Sequence, residues 1–81
     1  MGNANLDELF FELEKQIPHG WVWEAGNYSV GPNGITHWAQ AIGPEISDRH
    51  PRLIGEGESL NMAILNLLQE ITQYKVDRRT V

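Results

Sequence analysis

Gly20-Trp-Val-Trp-Glu-Ala-Gly-Asn-Tyr-Ser-Val-Gly-Pro-Asn-Gly-Ile-Thr-His-Trp-Ala-Gln-Ala-Ile-Gly-Pro44 decides how this chain folds. Trp21–Glu24 and Asn27–Val30 are rich in aromatic and β-branched residues, which favour a pleated, half-buried strand. Gly31-Pro32-Asn33-Gly34 is a strong turn signal, so a hairpin is expected, with Ile35–Ile42 as the return strand and Gly43-Pro44 closing it. Pairing Val30 with Ile35 would set Tyr28 against His37 and Trp23 against Ile42. Gly26 is a candidate bulge, and a bulge there would shift that register by one and turn every side chain to the other face.

Working outward, the segment before the hairpin reads as a helix from about Leu6 to Ile17. Leu6, Leu9, Phe10, Leu13 and Ile17 share one stripe, while Glu8, Glu12 and Lys15 point away from it. Asn5 suits the N-cap, and Glu8 three residues later completes a capping-box-like start. Asp7 and Glu8 suit the positive end of the helix dipole. Pro18 and Gly20 stop the helix. Beyond the hairpin, residues 43–58 are the least regular part. Arg52-Leu53-Ile54 is either a short third strand or part of a long loop. Gly55-Glu56-Gly57-Glu58-Ser59 reads as a flexible turn into a capped helix rather than a phosphate loop, because two acids there would repel a phosphate. A second helix begins at the N-cap Ser59 and runs to about Tyr74 or Val76. Leu60, Ala63, Ile64, Leu67, Leu68 and Ile71 form its core stripe, with Met62 and Leu65 off it. Residues 77–81 read as a fraying polar tail. The expected fold is α+β, in the order α-β-β-(β)-α. It has an antiparallel sheet of two or three strands with both helices packed on one face.

The 81 residues make one domain, with an ordered core of about 5–76. Hydrophobic residues are 41% and charged residues 21%, a globular balance. A chain of this length buries only about 60% of its unfolded surface, so a partner or a second copy would help its stability. Cysteine is absent, which removes disulfides, thiol catalysis and Cys-based metal sites and fits a reducing, cytoplasmic setting. No stretch is apolar enough to span a membrane, and Met1–Asn5 has no apolar signal region.

Catalysis and metal binding find little support in the sequence. His19, His37 and His50 stand at no H-x-x-x-H or H-x-H spacing. Ser29, Ser47 and Ser59 lack a G-x-S-x-G elbow. Glu8/Glu12 is a solvated like-charge pair, and a sugar cleft with two opposed carboxyls has little room in so short a chain. The expectation is therefore no enzyme, no cofactor and no metal.

Charge and aromatics remain. Eleven Asp+Glu face six Lys+Arg, for a net charge of −5. Residues 1–48 hold seven of the acids and a single base, Lys15; residues 49–81 balance four acids with five bases. An acidic surface is suited to a basic partner and unsuited to gripping a nucleic-acid backbone directly. Trp, Tyr and Arg dominate binding hot spots, and Trp21 and Trp23 share one face of their strand. The candidate partner-binding residues are Asp7, Glu8, Glu12, Glu14, Trp21, Trp23, Arg49 and Arg52. Reversing the four acids of the first helix should abolish binding to a basic partner.

The layout GWVWEAGNYSV (20–30), NGITHWAQAIGP (33–44) and GEGESLNMAILNLLQEI (55–71) resembles the small α-β-β-α sandwich domains common in phages and prophages. That resemblance implies a fold and no common activity. It implies a non-catalytic role on the surface of another protein, as in counter-defence inhibitors such as the anti-CRISPR proteins, which cover basic nucleic-acid channels. Gly55-x-Gly57-x-Ser59-x-x-x-Ala63 also resembles the entrance to the last helix of double-stranded-RNA-binding domains. Where that family has phosphate-gripping lysines, this chain has Leu60, Asn61 and Met62. The first alternative to an inhibitor is a homodimer or an assembly subunit, which predicts an apolar contact patch of Met62, Leu65 and an exposed Trp; the second is a double-stranded-RNA-binding-like domain.

Overall fold

A computed structural model describes residues 5–29, 31–32 and 34–79. The elements follow the order α1 (Leu6–Gln16), β1 (Val22–Ser29), β2 (Ile35–Ile42), β3 (Arg52–Gly57) and α2 (Leu60–Arg79). The three strands form one antiparallel sheet in the order β1-β2-β3. The α+β fold with both helices on one sheet face is the one expected.

Helix α1 starts as its sequence dictates. The Asn5 side chain accepts the Glu8 amide at 2.8 Å and donates through Nδ2 to the Glu8 carboxylate at 3.0 Å. Both partners of the cap are thereby satisfied. Leu9 and Leu13 are buried, with Leu6, Phe10 and Ile17 packed beside them. In α2, Ser59 caps the Met62 amide at 3.2 Å, and Ala63, Ile64, Leu67 and Ile71 supply the buried stripe. The helix continues through Arg79, past the expected end, so residues 77–79 are helical rather than frayed; residues 80–81 lie outside the described residues. Lys75 Nζ donates to Gln16 Oε1 at 3.2 Å and ties the two helices together.

The hairpin register differs by one from the expectation. Ser29 pairs with Ile35, so Tyr28 stands opposite Thr36 and Trp23 opposite Ala41. No bulge interrupts the ladder at Gly26, which pairs with Trp38 in regular register. The expected Val30–Ile35 pairing involves Val30, and the turn centre involves Asn33; both lie outside the described residues.

The third strand is present and longer than Arg52-Leu53-Ile54. It runs through Gly57, so the first half of the expected flexible turn is strand. Before it, Ile46 and Arg49 exchange two backbone hydrogen bonds, at 2.6 and 3.0 Å. Between them Ser47 and Asp48 both take positive φ, 52° and 66°. Two consecutive left-handed residues define a tight hairpin turn whose twist matches the flanking chain. The Gly43 amide donates to the Pro51 carbonyl at 2.8 Å and extends the β2–β3 pairing toward that turn.

The register sorts the sheet into two faces. The inner face carries the rows Trp23–Ala41–Leu53, Ala25–Ala39–Gly55 and Asn27–His37–Gly57. Its centre is built of small residues because α2 sits directly on it. A Cβ at Gly55 would run into the backbone of Ala63, Asn66 and Leu67. Asn66 reaches back and donates to the main-chain carbonyl of Glu56. Helix α1 lies beside α2, and Phe10 meets the Trp23 ring at 5.4 Å between centroids.

Candidate functional site on the open sheet face

The outer face carries the rows Val22–Ile42–Arg52, Glu24–Gln40–Ile54, Gly26–Trp38–Glu56 and Tyr28–Thr36. Both helices occupy the other side, so this face meets solvent. An antiparallel sheet tolerates that, and such strands ordinarily alternate apolar inward and polar outward. Here the alternation is incomplete: Val22 is 63% exposed, Ile54 49% and Tyr28 45%.

Trp38 is the centre of the face. Its indole lies over Gly26, where an added Cβ would meet Cζ2 at 2.7 Å and Cε2 at 3.0 Å. The glycine lets the ring settle on the sheet, and the ring shields the backbone of an edge strand, as in aromatic rescue of a cross-strand glycine. Around it the polar side chains tie strands together. Gln40 Nε2 donates to Glu24 Oε1 at 2.9 Å between β2 and β1. Tyr28 Oη donates to Glu56 Oε2 at 3.2 Å, reaching across β2. The hydrogen bond to Glu56, followed by the charge of that carboxylate, raises the Tyr28 pKa above its ordinary value. Tyr28, Trp38, Gln40, Ile54 and Glu56 line a hollow of about 230 Å³.

The eight residues expected to bind a partner fall in several places. Asp7 and Glu14 lie on one flank of α1, while Glu8 and Glu12 lie on the other, because each residue advances about 100° around the helix. Between the flanks runs the exposed ridge of Phe11 and Lys15, with the Lys15 ammonium 5.1 Å from the Phe11 ring centroid. Glu12 is already engaged, by Lys15 at 3.4 Å and by Gln16 at 2.9 Å. The Gln16 and then the Lys15 hydrogen bonds lower its pKa. The four acids therefore do not form one row. Glu14, Trp21 and Trp23 do come together, with Ile17, around a shallow cleft of about 290 Å³. Trp21 also packs edge-on against Tyr74 at 5.3 Å, and both Trp21 and Trp23 border the core. Arg49 sits at the β2–β3 turn, and Arg52 opens β3 on the outer face.

Trp38, Tyr28 and Glu56 were absent from that expectation. With the register shifted by one, Trp38 would share a face with Trp21 and Trp23; the observed pairing sends it to the opposite one. The signal was present as the parity of Trp38 relative to Ala39 and Ala41, small residues suited to lie under a helix. Met62 and Leu65, expected in the contact patch of an assembly subunit, are exposed on α2, while all three tryptophans are half-buried, Trp38 on the opposite side of the sheet.

Chemistry-bearing groups are dispersed. His19 follows α1, His37 lies on the inner sheet face, and His50 Nδ1 is 3.0 Å from the Gly43 carbonyl oxygen. Among the described residues no three His, Cys, Asp or Glu side chains are grouped to hold a metal ion. No described helix is long and apolar enough to cross a membrane. Comparison with protein-family models, curated proteins and solved structures finds no match for the chain.

Proposed function

We propose that this chain is a non-catalytic, acidic protein-binding module that occupies a basic surface of a partner protein, in the manner of a phage-type counter-defence inhibitor such as an anti-CRISPR protein. The observation that carries the reading is the outer sheet face. It holds Tyr28, Val22 and Ile54 exposed around a half-buried Trp38, with Glu24 and Glu56 in the same rows. Aromatic anchors within a polar rim are the make-up of a binding hot spot. The surplus of acids over bases, 11 against 6, supplies a field that draws a basic partner and disfavours direct contact with nucleic acid.

The test is affinity capture from a host lysate, with and without nuclease, using the wild-type chain and a Trp38→Ser/Ile54→Ser variant. The proposal expects one stoichiometric basic protein that survives nuclease, weakens with salt and is lost with the variant. Capture that disappears on nuclease treatment would favour the RNA-binding alternative. Recovery of the bait alone, with a dimeric mass in solution, would favour an assembly subunit.

A further inference from the structure

We infer that the hollow between Trp38, Tyr28 and Glu56 receives the guanidinium of an arginine presented by the basic partner. The inference rests on the protein-binding reading above and names the chemistry that the site selects.

At about 230 Å³ the hollow falls below the roughly 300–1,000 Å³ of small-molecule pockets and suits a single inserted side chain. Its walls combine an indole, a phenol and the Ile54 side chain with the Glu56 carboxylate and the Gln40 amide. A cation over an indole face is attracted by the ring quadrupole, and Trp is the strongest such platform. The indole is held in place by its seat on Gly26, so little ordering is left to occur on binding. Glu56 stands directly opposite Trp38 in the ladder. One of its oxygens accepts the Tyr28 hydroxyl, which leaves the other to accept from a ligand.

Among the described residues no cation already neutralises Glu56. The Lys15–Glu12 ion pair lies on α1, away from this face. Arg52 lies on the same face but two rows away, beyond Ile54. The Gln40 amide spends its Nε2 on Glu24, so its oxygen remains as a second acceptor for a guanidinium. A flat, delocalised cation with forked donors can stack on the indole and reach both acceptors. An ammonium, compact and strongly hydrated, can do only part of this.

The experiment follows the three indole N–H signals of ¹⁵N-labelled full-length protein during titration with hexa-arginine, and in parallel with neutral hexa-citrulline. The inference expects the Trp38 signal to move with hexa-arginine and to stay still with hexa-citrulline. Glu56→Gln should weaken hexa-arginine by about tenfold, the loss of one charge-assisted contact. Glu70→Gln, an equal charge change at an exposed position on α2, should leave the affinity within about twofold if the contact is local, because exposed charges further away are screened. Binding that leaves Trp38 unmoved and responds equally to both variants would overturn the arginine site while leaving the acidic binding module standing. Equal movement with hexa-citrulline would overturn the guanidinium assignment alone. Absence of any hexa-arginine binding would overturn both the site and the broader reading.

Discussion

The two faces of one three-stranded sheet are built on opposite plans. On the inner face the central positions are Ala39, Ala41 and Gly55, and α2 lies against them. On the outer face the neighbouring positions are Trp38, Gln40 and Ile54, and the helices leave them uncovered. Small residues allow a helix backbone to approach the sheet; large ones on the other face provide contact area without a helix. Burial of Ile64, Leu67 and Ile71 against the inner face gives the domain its core. The outer face adds cross-strand ties, Glu24–Gln40 and Tyr28–Glu56, whose exposed positions limit their worth to a fraction of a buried contact.

The largest expected effect comes from violating the inner plan. Gly55→Ala would place a methyl against main-chain atoms of α2, which no rotamer change relieves. We expect a loss of about 3 kcal/mol and a fall in melting temperature of roughly 15 °C, read by thermal unfolding. An unchanged melting temperature would mean that α2 is not seated on β3. Adjacent residues sharpen the same comparison. Leu53 packs against the core and Ile54 is 49% exposed on the other face. Leu53→Ala should cost about 2 kcal/mol and Ile54→Ala less than about 1 kcal/mol in chemical denaturation. Equal costs would erase the distinction between the faces.

The helices were legible because their information is local. The stripe from Leu6 to Ile17 and the Asn5 cap need no knowledge of the rest of the chain, and the same holds for Ser59 and the stripe of α2. The hairpin was legible as an element but not in register, since a single residue in the connection between Ser29 and Ile35 decides which face each side chain takes. That one step hid Trp38, and with it the centre of the open face. The end of β3 was hidden for a different reason. Gly55 and Gly57 look like loop residues locally, but they are strand residues made small by the helix above them, a tertiary cause. The Ser47-Asp48 turn also gave no signal, because two successive non-glycine residues rarely adopt positive φ.

The smallest effect concerns Tyr28. Its hydrogen bond to Glu56 raises the phenol pKa, so Tyr28 should ionise above the ordinary value of about 10. Glu56→Gln should bring that ionisation back down, as followed by ultraviolet absorbance in a Tyr74→Phe background. A folded-state pKa above the unfolded one gives a contribution to stability that is complete below the unfolded value and is lost as pH rises through the folded one. The side chain is exposed, so the alkaline change in stability should be slight. An ionisation indifferent to Glu56→Gln would mean that the two side chains do not meet.

The central claim is that the outer sheet face, and not the acidic helix α1, is the working surface. The natural absence of cysteine permits a direct comparison by thiol alkylation of two single-cysteine variants, Ile54→Cys on the outer face and Glu8→Cys on α1. The account predicts that the partner recovered by affinity capture slows alkylation at position 54 and leaves position 8 as reactive as before. Protection at position 8 with position 54 unchanged would contradict it.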